Sequence, residues 1–241
     1  MKLQRDLRSL ARRIPGLSRA VRSLRIIRKY LRHSPNLWRR NADIFAEYYR
    51  TNRWRGDESG SGRGSSLDET AALRAALPRL IDKLGVKSIL DVPCGDFHWM
   101  STVELGDTSY VGVDVVSAVV AENARRYERS GVKFLVGDVT ADALPKADLI
   151  FCRDLFVHLP YAAIVQAFAN LRKSGAKYIL TTTFPEIAGN TNIFTGMWRP
   201  LNLERAPFSF PPPLELIDEH NREGRHLRKA LGLWRWTDLP E

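Results

Sequence analysis

The chain of 241 residues has only two cysteines, Cys94 and Cys152. Two thiols cannot build a disulfide framework, and no metal-ligand spacing accompanies either one. The expectation is therefore a reducing, cytoplasmic setting without a metal centre. Long apolar runs are missing as well: nothing approaches the ~18 residues of a membrane span, and no signal-peptide core is present. Acids are scarce in one place. Residues 1–40 hold 13 basic residues and a single acid, Asp6, a balance of +12, whereas the whole chain carries +10 and residues 41–241 therefore carry −2. A nearly neutral body argues against an extended nucleic-acid groove, so a nucleic-acid partner is disfavoured. No internal repeat is visible.

In residues 1–40, Leu3, Leu7, Leu10 and Ile14 recur at helical spacing, and after Pro15-Gly16 so do Leu17, Val21, Leu24 and Leu31. The pattern predicts two short amphipathic helices. Arg fills their other faces, as in segments that lie in the headgroup region of an anionic bilayer, where each basic residue contributes about 1 kcal/mol. The expected setting is cytoplasmic, with peripheral contact at the inner membrane face. A solvated basic helix, a nucleic-acid contact and a transit peptide stay open as alternatives on composition alone.

Residues 41–241 read as one domain. "WRGDESGSGRGSS" is a Gly/Ser loop that needs something to organise it. Ser66-Leu67-Asp68-Glu69 reads as a capping box opening a helix whose apolar stripe is Leu73, Leu77, Leu80, Ile81 and Leu84, kinked or restarted at Pro78 and ended by Gly85. Strands and helices then alternate: "KSILDV", "SYVGVDV", a helix over 117–130, "VKFLV", "ADLIFC", a helix over 160–173, and "AKYILTTTF". This is the signature of an α/β protein with a doubly wound, mostly parallel sheet. Residues 185–222, rich in Pro, Asn and aromatics, read as a substrate-side insertion, and "LGLWRWTDL" as a final edge strand.

In open α/β sheets ligands bind beyond the carboxyl ends of the strands. Strand one ends in "LDVPCGDF", strand two in Asp114, strand three at Asp138 and strand four in "CRD" with Asp154. Asp114 follows Gly95 by 19 residues, the spacing at which an acid reaches ribose hydroxyls. A dinucleotide loop needs three glycines around its pyrophosphate, but this loop keeps only Gly95 and adds Asp91 and Asp96, which would repel phosphate. The acids suit a cation with a ribose and no phosphate, a description that S-adenosylmethionine meets.

The series Asp91, Gly95, Asp114, Asp138 and "CRDLFVHL" resembles the motifs of class I S-adenosylmethionine-dependent methyltransferases, with a Rossmann-like fold, from about Leu84 to Phe184. The resemblance implies S-adenosyl-L-methionine as cofactor, with Asp91, Gly95 and Asp96 around the methionine moiety, Asp114 at the ribose, Asp138 and Val139 at the adenine, and Pro93 and Val115 also in the cofactor site. Pro93 and Phe97 replace the first and third glycines of the usual motif. The longer run through "TTTFP" and "GMWRPLNLERAPFSFPPPL" is similar to bacterial methyltransferases associated with cell-surface glycans, which implies O-methylation of a sugar.

For a sugar hydroxyl the protein must align the acceptor and take its proton. His158 is the candidate base, with Asp154 one helical turn away to orient it; a metal-ligand role for the pair, or backbone hydrogen bonding by His158, stays open. Trp198 offers a stacking face, and Arg199 and Asn202 offer hydrogen bonds to substrate or to their own loop. Ser59, Gly60 and Ser65 are expected to close over the cofactor. Cys94 and Cys152 are expected to line the pocket as inert thiols, and His98 to pack. Methylation of a small aromatic or amine metabolite, and nucleic-acid binding or modification through the basic arm, are the competing functions.

Overall fold

The structure, a computed structural model, describes residues 24, 26–28, 30–219 and 227–240. The predicted helix over residues 3–14, and most of the one after it, lie outside the described residues. Seven strands form one sheet: β1 (Ser88–Asp91), β2 (Ser109–Asp114), β3 (Val132–Val136), β4 (Leu149–Cys152), β5 (Tyr178–Thr183), β6 (Glu215–Asp218) and β7 (Ala230–Arg235). Their order is β3-β2-β1-β4-β5-β7-β6. The first five pair in parallel, while β7 runs antiparallel to both β5 and β6.

β7 is thus not the edge strand that its sequence suggests. The edge is β6, four residues that follow Pro211-Pro212-Pro213 inside the supposed insertion. Their shortness and the proline run conceal them, whereas the fully buried stretch Ala230–Trp234 earns an interior place.

Alternate strand residues feed opposite faces, as the two-residue strand period requires. On β4, Leu149 and Phe151 join one apolar cluster while Ile150 and Cys152 join the other. Helix α2 (Ala71–Leu84) covers the first face with Leu73, Leu77, Leu80 and Ile81, and α4 (Tyr161–Arg172) covers the second with Ile164, Ala167 and Leu171. Helix α3 (Ser117–Tyr127) follows β2, and α1 (Asn41–Arg50) precedes the Gly/Ser loop.

Helix α2 runs through Pro78 without restarting, because burial of its stripe outweighs the one backbone bond that proline cannot make. Gly85 ends it at φ 63°. Ser66 Oγ accepts from the Glu69 N–H at 3.3 Å as a capping residue would, but the helix proper begins at Ala71.

Candidate active site

The carboxyl ends of β1, β2 and β4, the residues after β3, helix α1 and the Gly/Ser loop enclose one cavity of about 900 Å³. The turn after β1 is tight. Gly95 sits at φ 56°, and a Cβ there would lie 2.4 Å from Ser61 Oγ, so only glycine fits. Phe97 adopts φ 55° in place of the expected glycine; the cost of that left-handed backbone is offset by a buried ring packed on Tyr110, Tyr127 and Phe134.

Four acids stand around this turn. Asp91 is buried; one carboxyl oxygen accepts from the Tyr110 hydroxyl, while Oδ1 has no hydrogen-bond partner. Burial pushes its pKa up to about 8. Asp114 accepts from the N–H groups of Gly95 (3.1 Å) and Val116 (2.9 Å), which locks the turn to β2, and burial raises its pKa to about 6. Asp138 accepts from Thr140 and, at 2.9 Å, from Asn41 of α1. Asp96 accepts from the hydroxyls of Ser59 and Ser61 and from the Gly60 N–H at 2.8 Å. The carboxylate of Asp96 is therefore the anchor of the Gly/Ser loop, and Ser61 passes the tie to Tyr49 at 2.9 Å.

Pro93, Val115 and Val139 line the same cavity, as do Cys94 and Ser65. Cys152 does not: β4 turns its thiol into the core under α4, so the expectation that both cysteines line the pocket fails for it. Burial pushes the pKa of each thiol up, away from reactivity.

On the other side of the cavity, Asp154 and His158 both line the wall but do not form a pair. His158 lies in a short 3-10 turn, Phe156–His158, and its Nδ1 contacts the Met197 carbonyl at 3.0 Å. Since a carbonyl only accepts, Nδ1 carries the proton and Nε2 keeps a lone pair. Burial lowers the imidazole pKa below its ordinary value, which keeps the ring neutral. Asp154, at φ 58°, is instead bound by Lys229 at 2.5 Å and faces Arg153 at 3.3 Å. Burial alone would raise its pKa, but these two cations hold it well below the usual carboxylate range. It is a permanent anion and too weak a base to take a proton.

Sequence reasoning missed the network behind Asp154. Arg153 donates to Glu219 at 2.6 and 3.1 Å and to the Gly64 carbonyl at 2.7 Å, and Lys229 also reaches Glu219 at 2.9 Å. The Gly64 bond ties the Gly/Ser loop to the end of β4. Arg153 was visible in "CRD", but Glu219 and Lys229 flank a charged stretch that looks like ordinary solvated chain. The helix α1 contribution of Asn41, Phe45 and Tyr49 was missed too.

The expectations for "GMWRPLN" divide. Trp198 lines the cavity and meets Phe184 edge-on at 6.0 Å. Arg199 is buried and spends its guanidinium on three carbonyls, those of Phe156 (2.7 Å), Leu159 (2.9 Å) and Thr191 (2.9 Å). Asn202 holds the carbonyls of Pro185 and Ile187, each at 3.0 Å. Both fasten their own loop, and neither lines the cavity, which corrects the substrate role expected of them. His98 packs near Glu58, with 3.5 Å between its Nε2 and the carboxylate. No group of three or more His, Cys, Asp or Glu suited to a metal exists among the described residues.

Residues 89–175 match a family model described as a methyltransferase domain. No curated protein matches the sequence. Among solved structures, the 1,6-didemethyltoxoflavin-N1-methyltransferase of Burkholderia thailandensis, solved with 1,6-didemethyltoxoflavin and S-adenosylhomocysteine, is 19% identical with a TM-score of 0.58, over 86% of this chain and 89% of that one. The magnesium protoporphyrin IX methyltransferase of Synechocystis PCC 6803, with bound S-adenosylmethionine, is 14% identical with a TM-score of 0.53, over 81% and 97%. The fold is the Rossmann-like one of class I methyltransferases. The cavity suits its cofactor: the unpartnered Asp91 oxygen offers an acceptor to an ammonium group, and the cofactor half presents acids where a pyrophosphate site would present glycines.

Proposed function

We propose that this S-adenosylmethionine-dependent methyltransferase acts on an oxygen, a carbohydrate hydroxyl of a glycan or lipid-linked saccharide. Asp91 and Asp96 hold the methionine end of the cofactor, Asp114 the ribose, and Asp138 with Val139 the adenine. The cofactor supplies a methyl group already activated on a sulfonium. What remains for the protein is alignment, exclusion of water and removal of the hydroxyl proton. The observation that carries the reading is the His158 ring, fixed by the Met197 carbonyl with Nε2 free of a proton on the cavity wall. Asp154, with a third of its side chain still accessible, accepts from a second hydroxyl, and Trp198 supplies an aromatic face. A base, a permanent carboxylate and a stacking ring suit a polyhydroxylated acceptor better than an amine, which needs no base.

An acceptor panel with wild type and His158→Ala tests this. Turnover on a saccharide that collapses in the variant, with cofactor affinity kept, supports it; turnover confined to amines or aromatic heterocycles, and indifferent to the variant, refutes it.

The membrane role of the arm rests on a second observation. Leu24, Ile27, Leu31 and Leu37 are exposed, and Trp38 is 91% exposed, interleaved with Arg28, Arg32, Arg39 and Arg40. Tyr30 donates to the Asn192 carbonyl at 2.6 Å and Asn36 to that of Thr195 at 2.8 Å, so this surface is docked on the acceptor-side loop. It fits an anionic bilayer presenting a lipid-linked substrate. No helix among the described residues is long and apolar enough to cross a membrane.

A further inference from the structure

The cavity is electrically two-sided. Its cofactor half is lined by Asp91, Asp96, Asp114 and Asp138, with Arg153 the cation whose field reaches Asp91. Its acceptor half is lined by Arg53, Arg55, Arg63, Arg153 and Lys229, against the two acids Glu69 and Asp154. Arg153 and Lys229 are matched by Asp154 and by Glu219 behind them. Arg63 and Glu69 are both engaged in further contacts, so the surplus positive charge lies on Arg53 and Arg55, on a loop that also carries Asp57 and Glu58.

That loop is built rather than loose. Trp54 is wedged among Phe45, Tyr48 and Tyr49, with ring separations of 5.2 to 6.3 Å, and its ring lies 6.0 Å from that of His158. Arg53 and Arg55 flank this anchor. Arg55 is held at φ 55°, an unfavourable backbone for a residue with a side chain, and its carbonyl accepts from Arg63 Nε at 3.1 Å. Asn52 and Gly56 clamp the turn with two reciprocal bonds of 2.9 and 3.0 Å. The side chains of Arg53 and Arg55 stay exposed at the rim, where guanidinium forks can take phosphate oxygens in paired hydrogen bonds.

We infer that the acceptor is anionic: a saccharide bearing a phosphate or pyrophosphate, whose oxygens are taken by Arg53 and Arg55 while the sugar lies between Trp54, Trp198 and His158. The inference rests on the acceptor reading above and narrows it. Inorganic pyrophosphate is the probe, titrated into the full chain by calorimetry, with S-adenosylmethionine titrated separately into wild type and Arg53→Gln/Arg55→Gln. The expected result is saturable pyrophosphate binding that weakens about tenfold or more in the double variant, with cofactor affinity unchanged. Pyrophosphate binding that is absent, or equal in both proteins because the basic arm supplies it, overturns the anion site alone. Failure of wild type to bind S-adenosylmethionine overturns the methyltransferase reading and this one with it. Uridine diphosphate and farnesyl pyrophosphate as competitors separate the sources: the stronger one assigns a nucleotide-linked or a lipid-linked sugar, and competition by neither overturns the inference.

Discussion

Replacing Asp91 by Asn should strengthen the empty protein and weaken its hold on the cofactor. The carboxyl is buried, leaves Oδ1 unpartnered, and titrates at about 8 because burial penalises its charge. In the unfolded chain it titrates near 3.9, so between about pH 4 and pH 8 folding is increasingly disfavoured as pH rises, until the folded group itself ionises. At neutral pH the linkage ceiling is about 4 kcal/mol, and water entering the open cavity reduces this to an expected ~2 kcal/mol. Asn keeps an acceptor for the Tyr110 hydroxyl and removes the titration, so the melting temperature without ligand should rise by about 4–8 °C. The same change removes a carboxyl that a bound cofactor ammonium would draw into its ionised form, and affinity should fall roughly 10–100-fold. Thermal melts with and without S-adenosylmethionine read both effects: the variant melts above wild type when empty, and its ligand-induced stabilisation is smaller by about 1.4–2.7 kcal/mol, so that its advantage is lost and the two melt close together at saturating ligand. Unaltered affinity, or a variant less stable in both states, would refute the role assigned to this carboxyl.

His158→Ala should lower kcat by about 10²–10⁴ on a sugar acceptor with little change in cofactor affinity, measured by steady-state kinetics and calorimetry. Because burial lowers the His158 pKa, wild-type turnover should stay level as pH falls to about 6.5, the ordinary imidazole value, and decline only below it; loss of rate already above that value would contradict a neutral ring. Arg199→Ala frees three carbonyls and should cost about 2–4 kcal/mol in denaturant unfolding, whereas a substrate-binding arginine would change KM without changing stability. Deleting residues 1–40 should abolish flotation with anionic vesicles, as Leu37→Ser/Trp38→Ser should weaken it; equal flotation of full-length and truncated protein would remove the membrane role.

The parallel half of the sheet and the acids on its strand ends were legible because each strand carries its own apolar run and ends in a polar residue at a fixed spacing. Asp91, Gly95, Asp114 and Asp138 meet at one cavity for that reason. What escaped depended on contacts across long stretches of chain. Asn41 reaches Asp138 over 97 positions, and Arg153 reaches Glu219 over 66, and no local pattern announces either. The Asp154–His158 spacing suggested a helical pair, but Asp154 takes a left-handed turn and His158 a 3-10 turn, so each finds a different partner. Arg199 and Asn202 look like ligand-binding residues in sequence. Their hydrogen-bonding capacity is consumed by a long loop whose backbone carbonyls have no sheet to satisfy them.

The central claim is transfer of a methyl group from S-adenosylmethionine to a carbohydrate oxygen. Incubating the full chain with methyl-labelled S-adenosylmethionine and the saccharide and lipid-linked saccharide fraction of its host, followed by acid hydrolysis and mass spectrometry, tests it most directly. The account predicts label recovered as an O-methyl monosaccharide, dependent on His158. Label on amine or aromatic metabolites, with the saccharides unmodified, would contradict it.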